Sequence, residues 1–337
     1  LSDNEYQEWL SNAIKNKEIV RYDYSSFGDF QEIRNEAYST VHSANLTTEN
    51  KTVVLKSVTL CPSFTLESLV NELKHYLNIK SHENIVDFYG ITQKDENQNA
   101  YEIVMEFAND GALDIYLELN FTKLEWTNKL RFAQQIAEAI MHLHSNNIIH
   151  GNLNPRNVLV HNGSIKISDF GIYRITTLPS ISLLKLTGSL EYSDPVFLKE
   201  MEKYSRTKAF DIYSIGMLFW QISSGQCPYR SNHFQDELDL VTFITNGNRE
   251  APIMGTPTSY VKIYQECWGQ DINKRPIIDK VVQDLKNVDL TEIVKLNNSI
   301  INEQVYLSEE KFDNFISKTM RDFISDKRNI DLINGDS

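Results

Sequence analysis

The sequence predicts an α+β protein of two lobes, a small β-rich one followed by a larger helical one. Three observations carry this. Between about residues 20 and 107 the chain runs in short β-branched stretches broken by a single helical segment. After Asn109-Asp110-Gly111 the apolar residues recur at helical spacing instead. At 41% apolar and 11% aromatic, a chain of 337 residues can bury a sizeable core, which excludes a wholly disordered protein. The expected organisation is an N-terminal helical extension over 1–26, a small lobe over 27–107, a large lobe over 108–287 and a C-terminal helical extension over 288–337.

The elements follow in order. Residues 3–18 place Tyr6, Trp9, Leu10, Ala13 and Ile14 on one helical face, with charges opposite. Thr52–Val58 reads as a largely buried strand. Leu66, Leu69, Leu73, Tyr76 and Leu77 restore helical spacing over 65–80. Strands are expected at Ile85–Ile91 and Ala100–Phe107, joined by the polar turn Lys94–Asn99. Helices over 112–119 and 127–144 follow, with a brief β insertion near 158–168. In the last fifty residues Phe312, Phe315, Ile316, Met320, Phe323 and Ile324 form an apolar stripe on one helical face. Such a stripe packs on its own domain more often than it recruits a partner or a second copy.

Composition narrows the function classes. The net charge of −13 would repel phosphate backbones and anionic lipid, so nucleic-acid binding is excluded as a leading idea. The longest apolar stretch, around Ile212–Ile222, is too short to span a bilayer, and no signal-peptide pattern opens the chain. Cys61, Cys227 and Cys267 lie far apart without metal-ligand spacing, as expected of reduced, mostly buried thiols in the cytoplasm. His142 and His144 point to different helical faces, so they do not form a metal site with His150. Glycine is scarce, thirteen in the chain, where average usage of roughly 7% would give nearly twice that.

The informative stretch is His150-Gly151-Asn152-Leu153-Asn154-Pro155-Arg156-Asn157, followed by Ser168-Asp169-Phe170-Gly171. It resembles the catalytic loop and metal-binding motif of eukaryotic protein kinases, H-R-D-L-x-x-x-N and D-F-G. Val54-Leu55-Lys56 resembles the V-A-I-K strand, and Glu72 ahead of His82-Glu83-Asn84-Ile85-Val86 fits the αC glutamate. Met105, Glu106 and Ala108 lie in the hinge-like stretch Val104–Ala108, with Met105 as gatekeeper. Asp211–Gly216 and Cys267-Trp268 through Arg275-Pro276 resemble the buried helices of the large lobe. The resemblance covers residues 27–287 and is nearest in texture to the tyrosine-kinase-like group, including expanded fungal kinase-like families. It implies the bilobal kinase fold: a five-stranded antiparallel sheet with αC, and a mainly helical large lobe.

Phosphoryl transfer requires a held triphosphate, bridging magnesium and a residue that takes the hydroxyl proton. The resemblance puts Lys56 and Glu72 in the ion pair that faces the phosphates. It puts Asp169 and Asn157 at the metal, and Val41, Val54, Met105, Glu106, Ala108 and Leu159 around the adenine. The catalytic base is absent, because its position holds Asn152, and an amide cannot take a proton. That base is worth ~10²–10⁴-fold, or about 3–5 kcal/mol of barrier. The following lysine is Asn154, and the arginine before the base is Gly151, which removes a clamp for a phosphorylated activation loop.

The phosphate-covering loop has lost its glycines, with Arg34, Glu36 and Ser39 in their places when Val41 and Ala44 are aligned. Gly90, Gly111, Gly171 and Gly216 remain where the fold itself would use them. Val54 replaces the small alanine expected against the adenine and should crowd it. Val196 replaces the glutamate of A-P-E, so Arg275 needs another acceptor, for which Asp194 is the candidate. Thr176, Thr177, Ser180, Ser182 and Thr187 make the activation segment rich in hydroxyls.

The expectation is a degenerate kinase, a pseudokinase serving as signalling scaffold or allosteric partner. ATP would bind weakly, with or without Mg2+, and a stack including Phe88, His150 and Phe170 would couple the lobes. Its partner would be a protein, such as an active kinase or a downstream effector, or a second copy in a homodimer, with no membrane insertion. The alternatives are a slow ATP-dependent serine/threonine kinase and an interaction domain whose nucleotide pocket is occluded.

Overall fold

The structure is a computed structural model that describes residues 2–35, 39–61, 64–95, 100–170, 181, 184, 188–201, 206–230, 232 and 234–291. Several expectations fall outside the described residues: the apolar stripe from Phe312 to Ile324, the segment hydroxyls Thr176, Thr177, Ser180, Ser182 and Thr187, Glu36 of the phosphate-covering loop, Gly171, and residues 96–99 of the polar turn. Residues 1–288 form one unit; of the second, 289–337, only 289–291 are described.

The two-lobed α+β architecture is the one the sequence predicts. In the small lobe, β1 (Phe27–Asn35), β2 (Ser39–Leu46), β3 (Lys51–Thr59), β4 (Phe88–Thr92) and β5 (Ala100–Glu106) form one antiparallel sheet in the order β1-β2-β3-β5-β4. Phe27, Ala44, Leu46, Val53, Leu55 and Val104 cluster on one side of it. Against the other side packs α2 (Leu66–Asn78), started by a Thr65 side chain that accepts from the Ser68 N–H. Its apolar face buries Leu66, Leu69, Val70, Leu73 and Tyr76.

The sequence places a strand at Ile85–Ile91, but β4 begins only at Phe88. Ile85 and Val86 are buried yet turn to the large lobe, where the Val86 N–H donates to Ile167 O at 3.0 Å. Apolar β-branched content cannot tell a sheet partner in one lobe from a single bridge to the other.

The N-terminal helix α1 (Asp3–Lys15) lies on α2, burying Tyr6, Leu10 and Ala13. Tyr6 Oη donates to Glu67 Oε1 at 2.6 Å, and Lys74 lies 5.0 Å from the Trp9 ring centre. The chain then runs along the outer edge of β4. Ile91 N–H donates to Val20 O and Tyr22 N–H to Ile91 O, both at 2.9 Å. Only glycine permits that approach, since a Cβ on Gly90 (φ +152°) would stand 2.1 Å from Val20 O. Gly90→Ala is expected to destabilise the protein by about 1–3 kcal/mol. Hydrogen exchange checks it, because the Tyr22 and Ile91 amides should lose protection while the large lobe keeps its own.

The large lobe contains α3 (Leu113–Asn120), α4 (Trp126–Ser145), the hairpin β6 (Val158–His161) and β7 (Ser164–Ile167), α5 (Pro195–Lys199), α6 (Lys208–Ser224), α7 (Glu237–Thr245), α8 (Thr258–Cys267) and α9 (Ile278–Lys286). Helix α6 is buried all along Phe210–Ser224 and is the axis of this lobe. No helix among the described residues is long and apolar enough to cross a membrane. The three cysteines form no disulfide among the described residues. Only Cys267 is buried, Cys61 being half-buried and Cys227 exposed, which corrects the expectation of mostly buried thiols.

Candidate functional site

The site lies between the sheet and the β6–β7 hairpin. Lys56 on β3 is buried, and its Nζ stands 3.1 Å from Glu72 Oε1 on α2 and 2.9 Å from Asp169 Oδ1 after β7. Glu72 is completely buried. Burial pushes its carboxyl above the usual range, and Lys56 opposes that only in part. Burial would also raise Asp169, but the Lys56 ammonium and then the Arg34 guanidinium outweigh it and bring the carboxyl down to about 2. Asp169 therefore stays ionised throughout the neutral range. Its backbone φ of +56° is one that aspartate tolerates better than most residues.

Arg34 is the unforeseen member. Its Nη2 donates to Asp169 Oδ2 at 3.1 Å, and its Nη1 to Arg156 O at 3.1 Å. A residue singled out only as a lost glycine thus bridges β1 to the catalytic-type loop. With Lys56 on one oxygen and Arg34 on the other, Asp169 carries a cation on each side.

The loop 150–157 is held from beneath by Asp211 on α6. Asp211 accepts from His150 N–H at 2.9 Å, from Gly151 N–H at 2.8 Å and contacts His144 Nε2 at 2.8 Å. Gly151 has φ +74°. Putting the family's arginine back there would cost roughly 1–2 kcal/mol in backbone strain. Asn152 is half-buried, and its Oδ1 receives Asn154 Nδ2 at 3.4 Å. Asn154 is buried, donating to Asn152 O at 2.9 Å and accepting from Arg156 N–H at 2.9 Å. Its amide closes a local turn and brings no charge to the cleft. Asn157 donates to Asn152 O at 2.9 Å.

The lobes are coupled through aromatic rings. Tyr76, one helical turn after Glu72, stacks on Phe88 (5.2 Å between centres) and meets Phe170 edge-on (5.0 Å). The sequence names Phe88 and Phe170 for this stack but misses Tyr76, which joins them; its i+4 spacing from Glu72 was the available signal. The Tyr76 hydroxyl lies 3.5 Å from Met105 Sδ. His150 extends the line by a 3.0 Å contact from Nε2 to Ser168 O, and burial lowers its pKa. His142 Nε2 contacts Lys80 O at 3.0 Å, so the three ring Nε2 atoms meet three different oxygens, of Lys80, Asp211 and Ser168.

The remaining predicted positions lie on the sheet, on the connector after β5 and on β6. Val41 stands opposite Lys56 and so shares its side of the sheet; Val54, two residues before Lys56, does too. Leu159 lies on β6, half-buried, and Glu106 is tied to Asp87 N–H (3.1 Å) and to Lys166 (2.9 Å). The Ala108 N–H has no hydrogen-bond partner among the described residues, a donor of the kind an adenine ring needs. The adenine end offers a backbone donor that a purine ring nitrogen could accept from. The metal end does not fit a divalent ion in this arrangement, because both Asp169 oxygens are taken by side-chain cations.

At the end of the activation segment, Asp194 receives Arg275. Nη2 donates to Oδ1 at 3.2 Å, Nη1 to Oδ2, and both side chains are wholly buried. The rewired contact expected from Val196 is thus present.

A lysine and helix glutamate facing an aspartate across two lobes define a phosphotransferase-type fold. Residues 29–285 match the family described as protein tyrosine and serine/threonine kinase, and the chain belongs to the protein kinase domain family. It is 27% identical over 278 residues to the tyrosine-protein kinase csk-1 of Caenorhabditis elegans, covering 82% of this chain and 48% of that one. It is 28% identical over 247 residues to the probable serine/threonine-protein kinase kinX of Dictyostelium discoideum, 71% and 22% of the two. Against the ephrin type-B receptor 1-A of Xenopus laevis it is 32% identical over 213 residues, 61% and 21%. The chain spans less than half the length of these relatives.

Proposed function

We propose that this protein is a pseudokinase of tyrosine-kinase-like character, working as a signalling scaffold or allosteric partner of another protein. The observation that carries the reading is the catalytic-type loop. Asn152 has no basicity, and Asn154, in the place of the charge-neutralising lysine, is spent on the turn 152–156. Pairing Asp169 with Arg34 adds a third obstacle. The test is transfer of labelled γ-phosphate from ATP, with Mg2+ and with Mn2+, to the protein itself and to a generic peptide. Background transfer is expected from the natural chain. Asn152→Asp alone should gain less than about 100-fold, the lower end of what a general base supplies. Transfer by the natural chain that Asp169→Ala abolishes would overturn the reading.

Two observations favour a second reading, a slow serine/threonine kinase: the Lys56–Glu72 pair and the Phe88–Tyr76–Phe170 stack are both assembled. The phosphate-transfer assay separates the two. As a scaffold, the protein would offer a partner kinase or effector this assembled small lobe as a fixed shape.

A further inference from the structure

Arg34 reaches the cleft because β1 carries one residue too many. Glu32 stands opposite His42 and Arg34 opposite Val41, so two steps along β1 match one along β2, and Ile33 is left over. Residues opposed across an antiparallel pair share a face, and a bulge re-aims the side chain that follows it. Val41 in turn stands opposite Lys56. Arg34, Val41 and Lys56 therefore form one row on the cleft side of the sheet. Without the extra residue, alternation would put Arg34 with Glu32 on the outer side.

The row brings two cations to two carboxylates. Lys56 holds Glu72 and Asp169 Oδ1; Arg34 holds Asp169 Oδ2, with its side chain 24% exposed and that of Asp169 12%. The cluster is formally neutral before any ligand arrives. A divalent ion on Asp169 would face both cations at short range and would have to evict one of them. A phosphate group meets the opposite situation, because a guanidinium keeps its charge at any physiological pH and presents five donors in a fork suited to phosphate oxygens.

We propose that this cleft takes an adenine nucleotide without a divalent metal: Arg34 occupies Asp169 in the metal's stead and, with Lys56, faces the phosphates. The proposal rests on reading the cleft as a nucleotide pocket, which the Ala108 N–H, without a hydrogen-bond partner among the described residues, and the position of Val41 beside Lys56 support.

The experiment is calorimetric titration of ATP into the full chain, once in EDTA and once in excess Mg2+, with phosphate transfer assayed in the Mg2+ arm. Binding in EDTA is expected, with a Kd that Mg2+ alters by less than about threefold. In Arg34→Gln the metal-free affinity should fall about tenfold and Mg2+ should restore it. Arg34→Lys keeps the charge and should stay indifferent to the metal; thermal melts confirm that each variant is folded. Tightening of the natural chain by about tenfold or more in Mg2+ without phosphate transfer would overturn the proposal and leave the pseudokinase reading standing. Absence of ATP binding in both arms would do the same. Transfer in the Mg2+ arm would overturn both.

Discussion

Arg275→Met is expected to lower the unfolding free energy by about 3–5 kcal/mol, the usual cost of stripping one partner from a buried ion pair. Both side chains are fully enclosed, and the guanidinium also donates to Gly269 O at 2.8 Å and Ala209 O at 3.0 Å. Its loss leaves Asp194 charged and buried, and leaves two carbonyls without their donor. Asp194 additionally caps α5 through the Val196 N–H at 2.8 Å, so the anchored end of the activation segment should loosen with it. A loss of this size is a large share of the 5–15 kcal/mol that folded domains typically hold. Urea unfolding measures it. Adding Asp194→Asn should recover part of the loss, because the amide keeps the cap and removes the stranded charge. A loss under about 1 kcal/mol for Arg275→Met would place the pair among surface-like bridges and remove its structural role.

Lys56→Met should cost a comparable amount, about 3–5 kcal/mol, for a related reason. Among the described residues Glu72 loses its only cation, and its second oxygen, Oε2, is already buried there without a hydrogen-bond partner. This loss should depend on pH. An acid whose folded pKa lies above its unfolded value weakens the fold as pH rises through that folded pKa. Burial already raises Glu72, and removing Lys56 raises it further. The difference in melting temperature between Lys56→Met and the natural chain should therefore be larger near about pH 8 than near about pH 5. Adding Glu72→Gln should flatten it. A difference that does not change with pH would show that Glu72 is not the group at stake. Loss of function in a Lys56 variant thus reports on the fold as much as on nucleotide.

The two lobes could be read from the chain because their periodicities differ. Helix 65–80 is observed as α2 over 66–78, and Thr52–Val58 as β3 over 51–59. Lys56 and Glu72 were legible as residue types at family spacing, and their pairing follows from a helix laid on a sheet. Arg34 was legible only as a missing glycine. Its contact depends on the bulge at Ile33, and a bulge in a strand as polar as Gly28–Asn35 leaves no trace in the apolar pattern. The helical spacing puts Tyr76 on the apolar face of α2; that this face also meets Phe170 depends on how the lobes close. The strand expected at Ile85 and Val86 departs from the structure for the same reason, since a bridge between lobes is a tertiary fact.

The short run Val20–Tyr22 bears on how this protein should be handled. The family match opens at residue 29, inside β1, so a recombinant domain cut at that boundary would lack α1 and the strip paired to β4. The Ile91 N–H and C=O would then be open for another chain to pair with, and the α2 surface on which α1 packs with Tyr6 and Leu10 buried would be bare. An open strand edge is a standing invitation to aggregation. A specimen that precipitates when trimmed to the family boundary would be showing the loss of its own edge guard, and not a defect of the kinase fold.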